Sequence, residues 1–307
     1  MAANTIKVTP NQNFMGWNDA IVVNNGVVEA VIVPSVGRVM DFRFSGDSEG
    51  PFWVNEKLAG KTPESGSFWN KYAGSYGGDK TWPAPQSDWN WPPPAEFDNA
   101  KYDFTLMDDA SVLITSPVCE KNMLRAQRRI SLDANSPTMR IETTYQMVGG
   151  DENKAASIWV IAQTRAAEAI YIDTPEDSVF KDGYVNMIEG SKPNIKANPP
   201  LIRLEMDAKN SQKIGSDGEN IVWVGEKLLL KMHVDSFEGE THPDGGCSIE
   251  VYTNPDPAYV ELETLSPMIN FEPGYEHSET TVYTLARRTD EGELADVLHI
   301  LASDAAK

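Results

Sequence analysis

Tyr259-Val260-Glu261-Leu262-Glu263-Thr264-Leu265-Ser266-Pro267, followed by Glu272-Pro273-Gly274 and Glu279-Thr280-Thr281-Val282-Tyr283-Thr284-Leu285, reads as a strand that feeds a hairpin. Side chains alternate across a strand, so Tyr259, Glu261 and Glu263 share one face while Val260, Leu262 and Thr264 share the other. Two carboxylates and a phenol on one surface suggest a site. A solvated outer face would show the same alternation, because the open face of an antiparallel strand is ordinarily polar.

The period of two recurs along the chain. Gly26–Val33, Ser111–Thr115, Met139–Tyr145, Ile221–Val224 and Ser248–Tyr252 are rich in β-branched and aromatic residues and read as further strands. Asn24-Asn25-Gly26, Gly149-Gly150-Asp151, Ser216-Asp217-Gly218 and Pro243-Asp244-Gly245 are clusters of the kind that close hairpins. The prediction is a mostly β protein, a large antiparallel β-sandwich, with residues 1–288 in one domain. The end of the chain departs from it. Thr289-Asp290-Glu291-Gly292-Glu293 supplies a cap and an acidic first turn, and Leu294, Val297, Leu298 and Leu301 fall at helical spacing. Residues 289–307 are therefore expected to form a short C-terminal α-helix packed on the same domain.

Composition narrows the function. The 307 residues carry 46 acidic against 26 basic side chains, a net charge of −20 that repels nucleic acid and anionic lipid. No apolar run approaches the ~20 residues of a membrane helix, so neither nucleic acid nor membrane is an expected partner. Cys119 and Cys247 lie too far apart for a metal motif and read as buried apolar residues. No HxH, HExxH, P-loop or dinucleotide spacing occurs, so neither metal nor cofactor is expected. Met1-Ala2-Ala3-Asn4-Thr5-Ile6-Lys7 lacks a charged and apolar leader. As written the chain reads as cytoplasmic, or as periplasmic or secreted if a leader has been removed.

The Leu262-Glu263-Thr264 run, a short gap, Pro-Gly and a Thr-rich closing strand resemble the C-terminal signature of the galactose mutarotase (aldose 1-epimerase) superfamily. Tyr76-Gly77-Gly78-Asp79-Lys80-Thr81-Trp82-Pro83-Ala84-Pro85-Gln86 resembles a hallmark of a little-characterised branch of it. Val36–Phe42 and His242–Tyr252 fit the same branch, so the resemblance covers most of the chain. It implies a mutarotase-like supersandwich that binds a carbohydrate, with Glu263 as general base.

Residues 51–97 hold five of the eight tryptophans, Trp53, Trp69, Trp82, Trp89 and Trp91, among Pro83, Pro85, Pro92, Pro93 and Pro94. Proline suppresses regular structure, and flat indoles suit the C–H faces of sugar rings. The same tryptophans would equally serve as a small core under a loop. Asp79, Lys80, Trp82 and Gln86 add hydrogen-bonding and aromatic groups there. Lys231, His233 and Asp235 share a strand face in Leu230–Asp235, a second candidate cluster, although a lone histidine is more often structural. Arg38, Arg128, Arg165 and Lys80 would clamp a carboxylate or sulfate on an acidic sugar, although pairing with the protein's own carboxylates is the commoner role for such residues.

Mutarotation requires a base at the anomeric hydroxyl and an acid at the ring oxygen. The resemblance implies histidine acids, one near the Gly-Gly block and one on a mid-chain strand. Here those segments offer Asp79 and Lys80, and Trp159 and Gln163, and every histidine lies after residue 230. Lys80 and His233 are the candidate replacement acids. Arg38, Asp79, Trp82, Gln86, Trp159, Gln163, Lys231 and Glu261 are the candidate contacts to a mono- or oligosaccharide, neutral or anionic. A binding protein without turnover, or a polysaccharide lyase or hydrolase using the same groove, fits the same residues.

Overall fold

The computed structural model describes residues 5–63, 75–150, 152–197, 199–235 and 239–303. Among these residues the alternating segments form two antiparallel sheets. The first runs β1 (Lys7–Phe14), β2 (Trp17–Asn24), β3 (Val28–Val33), β4 (Arg38–Phe44), β5 (Gly78–Ala84), β10 (Lys154–Arg165), β19 (Ala258–Leu265), β18 (Ile249–Pro255), β15 (Gln212–Ser216) and β12 (Val185–Asn186), with β20 (Ile269–Phe271) also on β10. The second runs β13 (Ile195–Ala197), β14 (Leu201–Leu204), β11 (Ala169–Asp173), β16 (Asn220–Val224), β17 (Leu228–Val234), β21 (Glu276–Arg287), β9 (Thr138–Met147), β8 (Leu124–Leu132), β7 (Val112–Thr115) and β6 (Asp103–Leu106). The large antiparallel β-sandwich is as predicted.

The inward positions of both sheets are apolar and fully covered, among them Val251, Val260, Leu262, Ile130, Ile141 and Leu230. Polar contacts also cross this interior. Thr264 meets Thr281 at 3.2 Å, and Thr81 meets the Tyr145 hydroxyl at 2.7 Å. Asp79 accepts hydrogen bonds from Arg128 and from the Tyr283 hydroxyl, all three side chains being buried.

Several turn expectations are corrected. Asn24-Asn25-Gly26 does join paired strands, β2 and β3. Gly149-Gly150, Ser216-Asp217-Gly218 and Pro243-Asp244-Gly245 instead lie where the chain passes from one sheet to the other. The opening stretch is likewise not a hairpin: β19 belongs to the first sheet and β21 to the second. Gly/Asp clusters reverse a chain equally well at a sandwich edge and within a sheet, so the turn chemistry alone does not say which.

Among the described residues two α-helices pack on these sheets, α1 (Ala95–Asp98) against β5 and β8 and α2 (Glu293–Ala302) on the second sheet. The C-terminal helix starts later than predicted, after Gly292, and its packed face is shifted: Val297 and Leu301 of the expected stripe dock together with Ile300. Val297 and Ile300 are buried against Ala169, Tyr171, Val222 and Leu229 on the outer side of the second sheet, while Leu294 and Leu298 are each 53% exposed. Thr289 does not cap the helix; its hydroxyl donates to Asp296 at 2.6 Å. Cys119 and Cys247 are buried and unpaired, as expected. No helix among the described residues is long and apolar enough to cross a membrane.

Candidate functional site

Strand register assembles the site on the face of the first sheet that points away from the second. Lys80 on β5 pairs with Ile161 on β10, Ile161 with Glu263 on β19, and Glu263 with Glu250 on β18. The neighbouring row is Gly78, Gln163, Glu261, Tyr252 and, on β15, Lys213. Trp82 lies opposite Trp159 two positions further along. Because every step of two along a strand returns to the same face, these side chains converge although they come from five strands. Gly77 and Gly78 make the approach to β5 feasible: both have positive φ, and a Cβ on Gly78 would lie 2.5 Å from the Val39 carbonyl oxygen.

Lys80, Trp82, Gln86, Trp159, Gln163 and Glu261 line a cavity of about 420 Å³ together with Ser75, Trp91, Lys213, Tyr252 and Tyr259. Six of the sequence candidates thus meet in one place. Trp82 stands edge-on to Trp89, Trp91 and Trp159, with ring centroids 5.4 to 6.3 Å apart. Trp91 is exposed at the rim, Trp89 donates to the Pro83 carbonyl at 2.7 Å, and Trp69 lies outside the described residues.

Glu263 lies beneath this wall, fully buried. One carboxylate oxygen accepts from the Trp159 indole at 2.8 Å and from Lys213 at 3.2 Å, and Lys213 also reaches Glu250 at 2.6 Å. The second oxygen of Glu263 and that of Glu250 are buried with no other hydrogen-bond partner. Burial pushes the Glu263 carboxyl up to about 7, with Lys213 opposing and Glu250 adding to the rise. Burial also raises Glu250 and Glu261. For Lys213 burial works against the charge, but Glu263 and Glu250 outweigh it and hold its pKa above the usual lysine range. Two carboxyl groups bridged by one ammonium keep a proton near neutral pH, because a second negative charge in so dry a place is costly.

Lys80 is equally buried. Its ammonium sits 3.6 Å from the Trp82 ring centroid and 3.4 Å from Asp98 at the end of α1, and Trp82 donates to the same Asp98 oxygen at 2.8 Å. Burial lowers the Lys80 pKa, Asp98 opposing and Arg38 reinforcing it. Proton exchange at Lys80 is thereby brought closer to neutral pH than in a free lysine.

Besides Glu263, buried beneath the wall, four candidates do not line the cavity. Asp79, next to Lys80, points the other way and is consumed by Arg128 and Tyr283 between the sheets, since adjacent strand residues face opposite sides. Arg38 is fully buried against Asp98, Ser75 and the Gly77 carbonyl; it braces the site from behind, through Ser75, which donates to Gln163 at 2.5 Å, and Gln163, which donates to Glu261 at 2.8 Å. Lys231 and His233 do share a face, but on the outer side of the second sheet. Lys231 donates to the Ser303 carbonyl at 2.7 Å beside α2, and His233 bonds Asn220 and Asp235. Lys213, Tyr252 and Glu250 escaped the sequence reading. Glu250 and Tyr252 alternate on a recognised strand, and that spacing was the available signal. Among the described residues no group of three His, Cys, Asp or Glu is placed to hold a metal ion.

No family model matches the sequence, and no curated protein matches it. Solved structures do. A candidate mutarotase from Salmonella typhimurium superposes with a TM-score of 0.57 at 12% identity, over 88% of this chain and 91% of that one. The fold is mutarotase-like. A galactose mutarotase related enzyme from Lactobacillus acidophilus gives 0.54 at 9% identity over 89% and 99% of the two chains. A TPR-domain containing protein from Parabacteroides distasonis gives 0.58 at 14% identity over 87% of this chain and 47% of that one, so the chain spans about half its length. At such identities the likeness concerns the fold.

Proposed function

We propose that this protein binds a sugar in the cavity over β5, β10 and β19. The observation that carries the reading is the cavity's make-up: indoles of Trp82, Trp91 and Trp159 beside Gln163, Glu261, Lys80 and Lys213. Apolar ring faces take the C–H surfaces of a pyranose, and a few converging polar groups take its hydroxyls. The structures of similar fold that are described as mutarotases and aldose 1-epimerases support the same ligand class.

A catalytic reading is favoured by one further observation, the Glu263 carboxyl held at about 7. A base works best when its pKa lies near the operating pH. Lys80 and Glu263 occupy one row two strands apart, roughly 10 Å between Cα atoms at ordinary strand spacing. In this reading Glu261 meets the sugar, Glu263 takes up the anomeric proton as Trp159 and Lys213 yield, and Lys80 protonates the ring oxygen in place of histidine. The reaction is exchange of anomers.

Anomer-exchange NMR on neutral sugars, uronic acids and sulfated sugars, with wild type beside Glu263→Gln and Lys80→Met, tests both levels. Faster exchange that both substitutions abolish is the expected result. Line broadening without faster exchange, retained in Glu263→Gln, would leave a binding protein or a lyase or hydrolase. No response from any sugar would overturn the proposal.

A further inference from the structure

A second cavity, of about 920 Å³, adjoins the first, and the two share Tyr259 and Ser75 in their walls. Its most prominent feature is Trp53, stacked on Tyr259 with ring centroids 4.8 Å apart and planes 19° from parallel. The backbone holds this platform in place: the Trp53 amide donates to the Gln163 carbonyl at 2.9 Å, and the Gly78 amide donates to the Trp53 carbonyl at 2.8 Å. Gln163 and Gly78 belong to the row that carries Glu261, so the platform and the candidate site share one rigid frame. Asn55 and Asn254 add amide groups to the same cavity.

Size and charge narrow the ligand. The first cavity lies near the lower end of the ~300–1,000 Å³ usual for small-molecule sites, and the two joined exceed that range. In the second cavity Asp41 is paired with Arg43 and Glu49 with Arg165, which leaves Glu56 beside Lys57 and no excess of positive charge. An anionic unit would gain no attraction there over an uncharged one. We infer that the second cavity is a subsite for further units of an uncharged oligosaccharide, Trp53 forming its platform and Tyr259 the junction between the two sites. This inference rests on the proposed sugar-binding reading and extends it from a single sugar to a chain.

The test is calorimetric titration of wild type, Trp53→Ala and Trp53→Phe with cello-, malto- and galacto-oligosaccharides of one to four units and with oligogalacturonides of the same lengths. At least one neutral series is expected to gain on the order of tenfold in affinity from one unit to three, the gain being lost in Trp53→Ala and kept in Trp53→Phe. Each protein's gain is referred to its own monosaccharide affinity, so that any effect of Trp53 on Tyr259 in the first cavity is separated from the chain-length effect. Affinity independent of chain length in wild type overturns the inference while leaving the sugar-binding reading intact. A gain that survives in Trp53→Ala, or a gain confined to the oligogalacturonides, also overturns it. Absence of binding at every length overturns both.

Discussion

Glu263 concentrates the electrostatics of this protein: a fully buried carboxyl fixed by the Trp159 indole and Lys213, with Glu250 beside it. Its pKa is about 7 when folded against an ordinary glutamate value of 4.5, so the folded chain binds this proton more tightly than the unfolded chain. The stabilisation from that proton is complete below about pH 4.5 and disappears as pH rises through 7. Relative to Glu263→Gln, which cannot ionise, wild type should lose about 3 kcal/mol between pH 4.5 and 8, checked by urea denaturation at a series of pH values. Parallel curves for the two proteins would refute the assignment. Trp159→Phe keeps a ring in the wall and removes the indole donor to the charged carboxylate. The Glu263 titration should therefore move further up, as seen in the carboxyl ¹³C shifts of glutamate-labelled protein. That Glu261 and Glu263 share a face was legible from alternation; that a lysine on β15 would bridge Glu263 to Glu250 was not, because nothing local links residue 213 to residue 263.

At the level of elements, the strands were easier to read than their connections. A buried strand face leaves a periodic mark, whereas a Gly/Asp turn looks the same whether it joins partners in one sheet or carries the chain to the other. The C-terminal helix shows a related limit. Its sequence places Leu294, Val297, Leu298 and Leu301 on one stripe, but docking on the second sheet selects Val297, Ile300 and, partly, Leu301. Ile300→Ala should cost about 2–4 kcal/mol and Leu298→Ala no more than about 0.5 kcal/mol in equilibrium unfolding. Equal losses would mean that the helix docks by the other stripe. Gly78→Ala tests the entry to β5, because φ is +68° and the Val39 carbonyl leaves no space for a methyl group. A loss of roughly 1–3 kcal/mol, measured the same way, is the expectation.

Across the whole molecule, the sandwich is joined by an apolar interior through which Arg128, Asp79 and Tyr283 make a buried polar link between β8, β5 and β21. Removing one partner strands a charge, so Arg128→Met should cost about 3–5 kcal/mol. The double variant Asp79→Asn, Arg128→Met should be less destabilised than the sum of the two single changes, a coupling that a double-mutant cycle in urea would measure. Strict additivity would show that the pair does not act as a unit. The same layering separates the candidate sites. Lys80 faces the cavity, Asp79 the interior, and Lys231 and His233 the outer side of the second sheet, Lys231 reaching the end of α2.

The sequence by itself determined the β-sandwich class, the terminal helix, the shared face of Tyr259, Glu261 and Glu263, and the aromatic character of the stretch around Trp82. Each depends on local periodicity or composition, which the chain carries within a few residues of itself. Only the tertiary structure decided which strands lie in which sheet, that Asp79 and Arg38 are held by the protein's own groups, that His233 stands away from the cavity, and that Lys213 and Glu250 complete the environment of Glu263. These outcomes depend on register between strands far apart in sequence, and on burial, which creates the raised carboxyl at Glu263 by removing water from around it.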